Sequence, residues 1–139
     1  MTQAVRELMI RDVAIVPSTT TLGEAAQRMR DQNIGDVIVQ DAPDAIGILT
    51  DRDITIRATA EGLSPDEVTV GEICTIDLAT LGPDDPIDQA VALMRARAVR
   101  RLPVIERDRV VGIVSLGDLA VERDENSVLA HISAAEPQG

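Results

Sequence analysis

A chain of 139 residues is long enough for one compact domain or for two half-sized units that each need a neighbour to close a core. It carries 24 acidic against 13 basic side chains, a formal charge of −11, and no Phe, Tyr or Trp. That composition excludes a basic nucleic-acid footprint and any base-stacking platform. The single cysteine, Cys74, rules out an internal disulfide, and no apolar run is long enough to span a bilayer. The expectation is a cytoplasmic protein whose partners include neither membrane nor nucleic acid.

In chain order, Val13 to Val16 reads as a short β-branched strand, followed by a loop at Pro17-Ser18-Thr19-Thr20. Leu22, Ala25, Ala26 and Met29 recur at helical spacing, and Thr21 with Glu24 forms a capping box at the start of that helix. Val37 to Val39 and Ala45 to Leu49 read as an antiparallel hairpin turning around Asp41-Ala42-Pro43-Asp44, and a second helix begins after Leu49. EGLSPDEV, residues 61–68, has the Gly, Ser, Pro and charges of a linker. Beyond it Asp85 reads as an N-cap with Pro86 at the first helical position, and Ile87, Ala90, Val91 and Met94 form the buried stripe. Leu102 to Ile105 and Val110 to Val114 repeat the hairpin around Arg107-Asp108, a last helix follows Val114, and the charged segment from Glu122 reads as a helix fraying into a tail.

The order of elements repeats because the sequence repeats. Gly47-Ile48 in GILTDRD recurs as Gly112-Ile113 in GIVSLGD, and the same offset of 65 pairs Val5 with Val70, Ala25 with Ala90, Met29 with Met94 and Val39 with Val104. The fold class expected is α/β (α+β): two pseudo-symmetric β-α-β-β-α repeats, residues 5–60 and 69–122, joined by the 61–68 linker, packed through their sheets and followed by a tail at 123–139. The grooves between such repeats are natural ligand sites.

The residues best placed for chemistry are Gly47-Ile48-Leu49-Thr50-Asp51-Arg52-Asp53 and Gly112-Ile113-Val114-Ser115-Leu116-Gly117-Asp118, each where a strand becomes a helix. Thr50 with Asp53, and Ser115 with Asp118, satisfy a capping box with no ligand involved. The same geometry places a hydroxyl and exposed amides where a phosphate is favoured, and a carboxylate one turn on that can accept a ribose diol. Recurrence in both copies favours the ligand reading.

With these stretches, VRELM at 5–9, VGEIC at 70–74 and VRRLPVI at 99–105, the chain resembles a tandem cystathionine-β-synthase (CBS) domain pair over about residues 5 to 122. It is most similar to the stand-alone actinobacterial CBS pairs called hypoxic response proteins. The resemblance implies a Bateman module, a disk-like pair that forms a homodimer and senses AMP, ATP or S-adenosylmethionine in the cleft between repeats. It implies ribose contacts from Asp53 and Asp118, phosphate contacts from Thr50 and Ser115, and further phosphate contacts from Arg100 and Arg101. The first copy departs from this pattern: Asp36 stands where the second has Arg101, so a phosphate there needs compensation from Arg52.

His131 is the sole histidine, and no second histidine or cysteine stands near it, which argues against a metal site. Cys74 aligns with Met9 and reads as a small buried apolar residue. No catalytic triad or P-loop can be assembled. The function that the resemblance implies is non-enzymatic regulation through an adenosine-containing ligand and an unidentified client protein. The alternative is a ligand-free dimeric interaction module related to stress or hypoxia.

Overall fold

The computed structural model describes residues 3–43 and 45–123. The chain divides into two compact units: a continuous one, Ala14–Leu78, and a split one that combines the described parts of Met1–Val13 and Ala79–Gln138. The continuous unit contains β1 (Ile15–Val16), α1 (Leu22–Gln32), β2 (Asp36–Ala42), β3 (Ala45–Thr50), α2 (Asp51–Asp53), a π-helical segment (Ile54–Thr59) and α3 (Val70–Ile73). The split unit contains a 3₁₀ turn (Val5–Glu7), α4 (Ile87–Arg97), β4 (Arg101–Glu106), β5 (Arg109–Ser115) and α5 (Leu116–Arg123). The tail expected beyond Arg123, with His131, lies outside the described residues.

Helical periodicity sets what α1 and α4 bury: Leu22, Ala25 and Met29 in one, Ile87, Ala90 and Met94 in the other, while Ala26 and Val91, expected in the same stripes, lie at their margins, exposed and partly buried. The Thr21 Oγ1 accepts from the Glu24 N–H at 3.2 Å, but the Glu24 carboxylate takes the Thr21 hydroxyl proton, so the expected box closes through side chains. In α4 the N-cap is Pro86, not Asp85. The Asp85 carboxylate instead accepts the Gly82 N–H at 2.7 Å, and the Ile87 amide is taken up by the Gln3 carbonyl at 3.0 Å.

The β2–β3 and β4–β5 hairpins are antiparallel as expected, the second turning through Arg107 and Asp108 at φ 52° and 64°, the primed-turn conformation that matches strand twist. The first strand of each copy is shorter than the sequence suggests. β1 starts at Ile15 and runs parallel to β2, where the Ile38 N–H donates to the Ala14 carbonyl at 2.8 Å. In the second copy only a parallel bridge, Leu81 to Val104, remains. Pro103 occupies the place of Ile38 and has no N–H to give, so the ladder cannot extend. After α2 the chain passes into a π-helical segment through Ile54, Thr55, Ile56 and Thr59, a β-branched run that crowds a regular α-turn; α5 has no such run and is regular.

Each unit has its own aliphatic core, and each core is completed by the head of the other copy. Val70 and Ile73 pack with Leu22, Ala25, Met29, Val37, Val39 and Leu49. Val5 and Met9 pack with Ile87, Ala90, Met94, Leu102, Val104 and Val114. The backbone bonds are the same in both places: Val70 N–H to Thr20 and Gly71 N–H to Ser18 at 2.8 and 3.0 Å, Val5 N–H to Asp85 and Arg6 N–H to Pro83 at 2.8 and 2.9 Å. Val5 and Val70 are 1% and 0% exposed, so truncating either to alanine removes packing worth about 2 kcal/mol. The expected outcome is asymmetric: Val5→Ala weakens hydrogen-exchange protection among residues 79–123, and Val70→Ala among residues 14–60. Protection lost from residues 14–60 in Val5→Ala would contradict the exchanged packing.

Candidate functional site

The strand-to-helix turn of the continuous unit is built by β3 entering α2. Thr50 ends the strand in an extended conformation, and the Asp51 N–H is held by the Gly35 carbonyl at 3.0 Å. The Asp53 N–H donates to Thr50 Oγ1 at 3.1 Å and the Thr50 N–H donates to Asp53 Oδ2 at 2.9 Å, a closed capping box. The other carboxylate oxygen, Oδ1, lies 3.8 Å from the Arg57 guanidinium, whose second nitrogen donates to the Ile73 carbonyl at 3.0 Å. Asp53 is mostly enclosed, its side chain 19% exposed. Across the ladder Asp36 is the register partner of Thr50, and Arg52 is exposed on α2.

The split unit repeats this turn with different side chains. The Leu116 N–H goes to the Arg100 carbonyl at 2.8 Å, the Asp118 N–H to Ser115 Oγ at 3.2 Å, and the Ser115 N–H to Asp118 Oδ2 at 3.0 Å. Here the hydroxyl also donates to its own aspartate, at 2.8 Å. Both boxes therefore use one carboxylate oxygen; the second lies outside the box in both, and in Asp53 it faces Arg57. The register partner of Ser115 is Arg101, a base where the continuous unit has the acid Asp36. The structure thus groups Thr50, Asp53, Asp36 and Arg52 on one turn and Ser115, Asp118, Arg101 and Arg100 on the other. Arg100 also borders an apolar cavity of about 490 Å³ between α4 and α5, lined by Val91, Met94, Val99, Leu116 and Leu119 among others.

A CBS-domain family model matches residues 5–58 and again 70–125. The chain belongs to the CBS-domain family, as a tandem pair. CBS domain-containing protein YhcV of Bacillus subtilis is 37% identical over 134 residues, covering 94% of this chain and 95% of that one. A crystal structure of Hypoxic Response Protein I with two coordinated zinc ions is 37% identical with a TM-score of 0.74, covering 85% of this chain and 97% of that one. The CBS pair of protein MJ0100, in complex with 5′-methylthioadenosine and S-adenosyl-L-methionine, is 26% identical with a TM-score of 0.79 over 91% of this chain and all of that one, 100%. The resemblance to the hypoxic response type is thereby shown.

One feature of this CBS pair was not singled out in the sequence, and one expected burial is corrected. Arg57 is drawn to Asp53 by an i, i+4 spacing that the sequence does display. Cys74 is half-buried rather than core, because it stands over Gly47 at the edge of the sheet. Among the described residues no group of His, Cys, Asp and Glu side chains is arranged to hold a metal ion, and no helix is long and apolar enough to cross a membrane.

The capping role predicts a measurable cost of its own. Ser115→Ala removes the acceptor for the Asp118 N–H and the donor to its carboxylate, and is expected to destabilise the chain by about 1 kcal/mol in urea unfolding followed by circular dichroism. Thr50→Ala is expected to have a similar cost. A change of zero in both would show that the hydroxyls are not structural.

Proposed function

We propose that this CBS pair is a cytoplasmic, non-enzymatic regulator that binds an adenosine-containing ligand of the AMP, ATP or S-adenosylmethionine kind at its hydroxyl-aspartate turns. The observation that carries this reading is the second carboxylate oxygen of Asp53 and Asp118, left outside the capping box at the same position of both units. A cis-diol offers the two donors such an oxygen and its neighbour can accept. The ligand complex of the MJ0100 pair supports the chemistry.

The two turns differ in what they favour. Arg101 opposite Ser115 makes the split unit the anion site, with Arg100 beside it. Asp36 opposite Thr50, and Arg57 already facing Asp53, make the continuous unit a poorer phosphate site and suit it to an uncharged nucleoside or a cationic sulfonium. Output then passes to a separate client protein.

The test is thermal unfolding by circular dichroism with AMP, ADP, ATP, S-adenosylmethionine and NAD. A bound ligand at a hundred times its Kd adds about 2.7 kcal/mol, and the midpoint climbs with the logarithm of concentration. Asp118→Asn keeps an acceptor for the Ser115 N–H while removing the carboxylate, so it is expected to lose the phosphate-ligand shift with little loss of stability. A fully retained shift removes Asp118 from the site, and no shift with any compound at millimolar concentration overturns the ligand reading.

Self-association is the second reading, favoured by the apolar cavity between α4 and α5 and by Leu116, which is 50% exposed at its rim. We infer a homodimer that covers this face. Leu116→Glu is expected to convert a dimer to a monomer in sedimentation experiments without lowering the helical signal; an unchanged mass would move the contact elsewhere.

A further inference from the structure

At the hairpin end of β3, away from Thr50, the continuous unit has a cavity of about 320 Å³ lined by Ser18, Asp41, Ala45, Gly71, Cys74 and Ile76 among others. The internal repeat shows what fills the corresponding place in the split unit. Sixty-five positions away, Arg6 replaces Gly71, Met9 replaces Cys74 and Glu106 replaces Asp41. The Arg6 guanidinium donates to Asp84 Oδ1 at 2.9 and 2.7 Å and lies 3.7 Å from the Glu106 carboxylate. An alkyl arm with a cationic end thus lies along the 3₁₀ turn and reaches the acid at the end of the hairpin.

The continuous unit keeps the acid and lacks the arm. Asp41 accepts the Ser18 N–H at 2.9 Å, and among the described residues no arginine nitrogen lies within the 4.0 Å of an ion pair with it. No arm can grow from position 71, because a Cβ there would stand 2.9 Å from Ser18 Cβ and 3.0 Å from the Ser18 carbonyl oxygen. Cys74 is shorter than Met9 and leaves the volume open.

We propose that this cavity binds a free small molecule carrying a guanidinium or ammonium group on an alkyl arm, with Asp41 holding the cation and Gly71, Cys74 and Ile76 bordering the arm. The site takes from solution what Arg6 supplies internally in the other unit. Hydrogen bonds from the Ser18 hydroxyl and backbone hold the Asp41 carboxyl below its ordinary value, so the acid is charged at neutral pH. The net charge of −11 favours a cation as well. Because Asp41 is exposed, binding is weak and falls with salt.

The test is a titration of the full chain with agmatine, read by backbone amide shifts and by the rate at which iodoacetamide alkylates Cys74, the only cysteine. Saturable shifts at Ser18, Asp41 and Gly71 are expected, with alkylation slowed several-fold at saturation. Neutral n-butylurea at the same concentration, and agmatine with Asp41→Asn, are expected to give neither. Arg6→Ala opens the matching place in the split unit, so agmatine should then also move the amides of Asp84 and Glu106. Absence of saturation, or an equal response to the urea or in Asp41→Asn, overturns the proposal. Equal or tighter binding of a Gly-Arg-Gly peptide overturns the free-ligand assignment in favour of an arginine side chain of another protein.

Discussion

The exchange of valines between the copies is the contact on which the other features rest. Neither unit has an aromatic side chain to fill its interior, so every buried methyl group counts, and the fully buried Val5 and Val70 are supplied from across the repeat boundary. Each head segment then adds a two-way backbone bridge to a hairpin, Ile10 with Ile113 and Thr75 with Ile48. That bridge fixes β5 and β3 at the residues just before Ser115 and Thr50. The approach is close enough that a Cβ on Gly47 would meet Cys74 Sγ at 2.8 Å, and one on Gly112 would meet Met9 Sδ at 2.7 Å. The two glycines of the repeated motif serve this contact before they serve any ligand.

A backbone held this firmly lets the side chains diverge. The turns at Thr50 and Ser115 share every main-chain hydrogen bond described above, yet one has Asp36 across the ladder and the other Arg101. Arg6 closes a groove in one unit that Gly71 leaves open in the other. None of these differences touches a core residue, so each changes the charge or volume of a site at little cost to folding. Electrostatic selection between ligands can therefore differ between two copies of one fold within one chain.

How much of this the sequence shows depends on whether the deciding contact is local. The offset of 65, the stripe at Leu22, Ala25 and Met29, the hairpin at Arg107-Asp108 and both hydroxyl-aspartate boxes are legible because their partners stand within four residues or recur at a fixed distance. The short first strands are not, since the loss in the second copy depends on Pro103 lacking the N–H that Ile38 donates to the Ala14 carbonyl of a strand more than twenty residues earlier. The N-cap of α4 lies at Pro86 and not Asp85, with the Asp85 carboxylate on the Gly82 N–H and the Ile87 amide on the carbonyl of Gln3, more than eighty positions earlier.

The exchange of heads is illegible for a deeper reason. A repeat pairs Val5 with Val70 whether each packs on its own copy or on the other, so the pattern is invariant to the swap and only the partners of their amides, Asp85 and Thr20, decide it. Cys74 shows the consequence for function. Alignment with Met9 places it correctly at a glycine contact, but a methionine fills that place and a cysteine does not. Reading the pair as equivalent turns an open cavity into a core position. In a duplicated fold the difference in volume between aligned residues, joined with the loss of the Arg6 charge, is the physical signal that separates a packed position from a vacant one.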